Sequence, residues 1–146
     1  MKEKEKISIE KGPHFLAVNP IKNTIYISNS KSNCILSIDC SSGNTKRIEI
    51  TQPGKLVIDM KNQKLFAITD LRWNTHGTMI DKMKEMRDGD LISIIDMESD
   101  EIVGVIDDSD YSDFAINPET NQLISTNVYQ STISILNLST YQEMKK

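Results

Sequence analysis

The sequence predicts an all-β chain of three four-stranded antiparallel repeats, each about 40 residues long, with one short helical insertion. Two observations carry this. The stretch Leu16-Ala17-Val18-Asn19-Pro20, followed by Tyr26-Ile27-Ser28-Asn29, occurs three times. Phe114-Ala115-Ile116-Asn117-Pro118 answers it with Ile124-Ser125-Thr126-Asn127, and Leu56-Val57-Ile58-Asp59-Met60 with Phe66-Ala67-Ile68-Thr69. The spacing between copies is also constant once one insertion is removed. Val18 to Ile58 is 40 residues and Asp39 to Asp96 is 57; Ile58 to Ile116 is 58 and Asp96 to Asn137 is 41. Both comparisons leave the same 17 extra residues, which fall within 71–89 of the second unit. A fixed period settles architecture before any single residue does.

Taken in order, the chain opens with Ile7-Ser8-Ile9-Glu10 before Gly12-Pro13, an alternation that predicts a short half-buried strand. The first unit runs from about 13 to 51. Residues 15–18 are apolar throughout, as in a strand covered on both faces. Asn19-Pro20-Ile21-Lys22-Asn23 is turn chemistry, since Asn bonds its own backbone and Pro fixes φ. Residues 25–28, 35–39 and 46–50 read as the second, third and fourth strands. The last is the most charged, as suits an exposed sheet edge. The second unit spans about 53–107, with its insertion at 71–89, and the third about 111–146. The third unit stops early, because residues 141–146 barely make a fourth strand. The strand at 7–10 is expected to serve as an extra outer strand in its place.

Inside the insertion, Met79, Met83 and Met86 recur at i, i+4 and i+7 with Ile80 beside them, which predicts two or three turns of helix ended by Gly89. So short a helix needs a surface for its Met face, either its own sheet or a partner. Four short strands per period of about 40 is the signature of a propeller blade.

Composition narrows the function classes. With 146 residues, 26% of them charged, and a net charge of −4, the chain has the size of one domain and no basic stripe to neutralise nucleic-acid phosphates. No apolar run approaches the length of a membrane helix. Residues 2–6 are all charged, so no secretory signal is read here and a cytoplasmic location is expected. Cys34 and Cys40 are six apart on what reads as one strand, too far for a disulfide, and are expected to be free thiols. No motif calls for a cofactor.

The quoted repeats resemble the YVTN family of β-propeller repeats. Its blades combine a proline, an apolar strand ending in Asn-Pro, Tyr-Val-Thr-Asn, and an apolar strand ending in Ile-Asp. Pro13, Val18-Asn19-Pro20, Tyr26-Ile27-Ser28-Asn29 and Ile38-Asp39 match; the second unit departs, with Asp59-Met60 and Thr69-Asp70. The resemblance covers nearly the whole chain and implies blades of a propeller, while saying almost nothing of activity. A closed ring has typically four to eight blades, so three imply either a portion of a longer propeller or a protein partner or self-association that completes the ring; two copies would make six.

By propeller geometry the insertion opens on the face that also holds the loops joining one blade to the next. Asp70, Arg72, Trp73, Asn74, His76 and Asp81 are thereby expected beside His14 and the Asp107-Asp108-Ser109-Asp110 turn. The binding residues expected there are Arg72, Trp73, His76, His14 and Asp110. Trp beside Arg is a frequent recognition pair, though a Trp packed on its own blade is as ordinary. His with Asp suits a transition metal and carboxylates alone suit calcium, but no fixed ligand spacing assigns a metal. The first functional expectation is a non-enzymatic binding or scaffold module. The alternative is part of a lyase- or lactonase-like propeller enzyme with a metal at the channel mouth, for which only His14 and Asp110 are candidates.

Overall fold

The computed structural model describes residues 6–69, 91–107, 113–128 and 130–139. They form eleven strands: β1 Pro13–Asn19, β2 Thr24–Asn29, β3 Cys34–Asp39, β4 Thr45–Glu49, β5 Pro53–Asp59, β6 Lys64–Thr69, β7 Leu91–Asp96, β8 Glu101–Asp107, β9 Asp113–Asn117, β10 Gln122–Asn127 and β11 Thr132–Asn137. They pair as three antiparallel meanders, in the orders β1-β2-β3-β4, β5-β6-β7-β8 and β9-β10-β11. The all-β repeat architecture is therefore as the sequence predicts, with three described strands in the third sheet. The expected helix within 71–89 and the segment 141–146 lie outside the described residues.

The strands end where they do because a side chain closes each turn. Asn19 Oδ1 accepts from the amides of Ile21 and Lys22, both at 3.1 Å. Asp59 does the same for Lys61 and Asn62, and Asn117 for Glu119 and Thr120. One turn later in each unit, Asp39 accepts from Ser41 and Ser42, Asp96 from Glu98 and Ser99, and Asn137 from Ser139. An Asx side chain thus satisfies amides that the ladder cannot reach. The chain then re-enters the sheet through a left-handed residue: Asn23 at φ 51°, Gln63 at 52° and Asn121 at 54° hold equivalent places. Asn tolerates that region better than most residues, which suits Asn23 and Asn121, while Gln63 adopts the same conformation in the second unit.

Each sheet has a forward face, turned to the next sheet, and a rear face. The forward face of the first sheet (Tyr26, Ile35, Ile48) packs on the rear face of the second (Leu56, Leu65, Ala67, Ile95, Met97). The forward face of the second (Phe66, Ile68, Ile92, Ile94, Ile106) packs on Phe114, Leu123 and Leu138 of the third. The inner strands approach closely, β1 and β2 against β5, and β5 against β9. Both seams are therefore apolar cores built on one repeating contact.

Ile7–Glu10 departs from expectation. It is no strand: residues 6–10 make no ladder and lie across the rear face of the first sheet. Ile9 joins Cys34, Leu36, Ile38 and Ile27 in a third apolar cluster. Asn29 Nδ2 donates to Glu10 O at 3.2 Å, and Arg47 pairs with the Glu10 carboxylate. The alternation arises because Ile9 is held against the sheet by these contacts while Ile7 is exposed. Gly12, at φ 99°, lets the segment turn over the sheet, since a Cβ there would meet Lys31 Cβ at 2.8 Å. Cys34 starts β3 and is buried; Cys40 sits just past its end, exposed, and both are free.

The turn chemistry has a direct test. Asn19 is fully buried, so Asn19→Ala leaves two turn amides without their acceptor and is expected to cost about 1–3 kcal/mol in urea unfolding. Asn19→Asp keeps the acceptor, as Asp59 does naturally, and is expected to cost less than half as much. Equal losses for the two variants would contradict this account.

Candidate functional site

Of the residues expected to bind, His14 alone is described. It lies on β1, exposed, with its ring stacked on Phe15 at 4.3 Å between centroids. Arg72, Trp73, His76 and Asp110 lie outside the described residues, as do Asp70, Asn74 and Asp81. Among the described residues no group of three or more His, Cys, Asp or Glu side chains converges on one point, and no helix is long and apolar enough to cross a membrane.

Three kinds of surface are formed. The first is a groove of about 370 Å³ at the seam of sheets one and two, lined by Lys22, Tyr26, Ser37, Lys46, Glu98 and Asp100 among others. Its charged groups hold the seam together. Lys22 Nζ donates to Met97 O at 2.8 Å and pairs with Glu98 at 2.6 Å. Lys46 Nζ donates to Ser99 O at 2.6 Å, and Tyr26 Oη donates to Asp100 Oδ1 at 3.2 Å. Burial, with the Asp100 carboxylate close by, pushes the Tyr26 hydroxyl well above its ordinary range, so it stays a donor. The second surface, about 260 Å³, is the matching groove between sheets two and three, where Asn62 Nδ2 donates to Asn121 Oδ1 at 3.0 Å. Elsewhere on that seam Lys55 Nζ pairs with Asp113 and donates to Phe114 O at 3.1 Å, and the Lys55 bond holds the Asp113 carboxyl below its usual range. These grooves are seams fastened by their own side chains.

The third surface is the pair of end faces. On the forward face of the third sheet, Ile133 is 69% exposed, whereas the equivalent Ile35 and Ile92 are fully buried. Ile135 is likewise exposed, although its counterparts Ser37 and Ile94 are buried. On the rear face of the first sheet, Leu16 is 67% exposed, against 7% for Leu56 and 3% for Phe114 at the same repeat position. Val18 beside it is also exposed. Positions that every internal contact buries are thus open at both ends of the block. Residues 15–18, apolar throughout, predict a strand covered on both faces, yet among the described residues Leu16 and Val18 are exposed on the rear one.

No family model matches the sequence, and no curated protein matches it. Solved structures do. The chain aligns with hydrazine synthase of Kuenenia stuttgartiensis at a TM-score of 0.66 and 14% identity, over 97% of this chain and 37% of that one. It aligns with the WD40 repeats of RRP9 at 0.66 and 16% identity, over 92% and 38%. It aligns with a 6-phosphogluconolactonase named as putative, from Bacteroides fragilis, at 0.61 and 16% identity, over 91% and 36%. These are propeller-like structures, and the likeness establishes the propeller repeat fold. The chain spans less than two fifths of the length of each.

Within the sheets, one ion pair gives a pH-dependent prediction. Lys64 Nζ lies 2.6 Å from Asp96 Oδ2, with both side chains mostly shielded, and this bond with the turn amides lowers the Asp96 carboxyl to about 2. Because that lies below the value of about 3.9 in the unfolded chain, the pair stabilises the fold above pH ~4, and the contribution disappears as pH falls through about 2. After screening, it is expected to be worth about 1–2 kcal/mol. Asp96→Asn, which keeps the turn acceptor as Asn137 does, should lose this much at neutral pH and progressively less as pH falls through about 2, by chemical unfolding. A difference independent of pH would contradict the assignment.

Proposed function

We propose that the chain is a non-enzymatic binding module: a block of propeller blades that docks onto protein through the sheet face it leaves open. The observation that carries this reading is the exposure of Ile133 and Ile135 at positions buried in both other sheets. Contiguous exposed apolar side chains on a flat sheet face mark interaction surfaces. Covering a few hundred Å² of such surface at about 25 cal/mol per Å² supplies several kcal/mol. The RRP9 structure, like this chain in fold, consists of WD40 repeats, and another propeller-like match comes from a nidogen–laminin complex.

The test is to make that face polar without weakening the strand. Ile133→Thr with Ile135→Thr keeps β-branched residues and should leave the melting temperature within a few degrees. The parent should bind an apolar dye such as bis-ANS or associate in solution, and the double variant should do neither. A parent that remains at 16.6 kDa and binds no dye would overturn the reading, as would a double variant that behaves like the parent.

Recognition on the loop face belongs to the same proposal, through Arg72, Trp73, His76, His14 and Asp110. Its support is the exposed His14 at the start of β1 and the richness of 71–89 in large side chains. Replacing 71–89 with an Asn-Gly turn should leave folding cooperative and reduce association or ligand capture. A shortened chain that folds, assembles and binds unchanged would leave the insertion without this role.

A further inference from the structure

We propose that the protein bound by the open forward face of the third sheet is a second copy of this chain, engaged through the rear face of its first sheet. The inference rests on the binding-module reading above and names the partner for it. Every contact between sheets inside the chain follows one rule: a forward face meets a rear face, with inner strands closest. The two faces left over are one forward face, carrying Ile124, Ile133 and Ile135, and one rear face, carrying Leu16 and Val18. A second copy therefore offers the surface that the internal contacts already select. Leu16 takes the place that Leu56 fills at the first seam and Phe114 at the second.

The N-terminal segment is consistent with this docking. Ile9 covers the rear face over Cys34, Leu36 and Ile38 on β3, and Arg47 of the edge strand β4 holds Glu10. These contacts centre on the outer half of the sheet and reach β2 at Ile27 and Asn29. Leu16 and Val18, on the inner strand, stay bare where sheets approach most closely at the internal seams. The blade sequence carries a matching signature: the position of Leu36 is Ser93 in the second unit and Ser134 in the third. The first sheet alone has a large apolar residue there, under the one segment that covers it.

A forward-to-rear contact is heterologous, so it either closes into a ring or grows into a filament. Two copies of three blades make six, within the range of closed propellers. Two identical seams would then form at once, and neither end face would remain open.

The experiment uses Leu16→Glu and Ile135→Lys with light scattering on the whole chain. Both sites are exposed, so each variant should keep the parent's circular dichroism, with a melting temperature lowered only by the lost association. Leu16→Thr and Ile135→Thr serve where a charged variant fails to fold. The parent is expected near twice 16.6 kDa. Either charged variant alone sets a charge against an apolar side chain and should weaken the dimer by roughly 100-fold. Mixed one to one, they form one parental seam and one Glu–Lys seam, and the dimer mass should return. Leu16→Glu without effect while Ile135→Lys dissociates the dimer would overturn the inference, because forward faces would then be pairing with each other. Masses that climb with concentration would overturn the closed ring. A monomeric parent that still binds bis-ANS would overturn the second-copy assignment and leave the binding-module reading standing; a monomer that binds no dye would overturn both.

Discussion

A four-stranded sheet whose inner strands are apolar on both faces must be covered twice. This constraint organises the molecule. One sheet cannot bury Leu65 and Phe66, adjacent residues on β6 that point to opposite sides; the second sheet buries them only by lying between the first and the third. Stacking is thus a condition of folding for each unit, and three sheets satisfy four of six faces. Polar contacts then fix the seams: Lys22 and Lys46 reach backbone carbonyls 75 and 53 residues away, which sets how the first two sheets sit. Such bonds add little net stability, but leaving their partners unpaired at a half-buried seam is costly.

The repeated motif itself is turn chemistry. Asn19, Asp59 and Asn117 each accept from the amides two and three residues on, and this explains why Asp can stand for Asn in the second unit while an apolar residue stands nowhere. The residues that make the family likeness visible are therefore engaged with the backbone. That is why the pattern identifies blades and is silent on chemistry, and why hydrazine synthase and WD40 repeats can share this geometry.

Local signals were legible in the sequence and long-range ones were not. Alternation and Asx turns placed the strands because each depends on neighbours within six residues, and the period of about 40 counted the units. The same alternation misassigned Ile7–Glu10: a partly buried Ile9 between polar residues looks the same whether the cover is a paired strand or a sheet face beneath a tail. Lys22, Lys46 and Lys55 read as surface charges, since nothing near them in sequence announces Met97, Ser99 or Phe114 as partners. One signal of the tail was present, in Leu36 standing where the other units have Ser. Of the loop-face residues, only His14 lies among the described residues, exposed on β1.

The central claim is that the end faces are docking surfaces of the same kind as the internal seams. Methyl NMR with a soluble paramagnetic agent measures this residue by residue. With rising protein concentration, the methyls of Leu16, Ile133 and Ile135 should pass from strongly broadened to protected, while those of Ile35 and Ile92, already buried at the internal seams, should not change. If Leu16, Ile133 and Ile135 stay accessible to the agent at every concentration, and with added protein present, the end faces are open surface and the account is wrong.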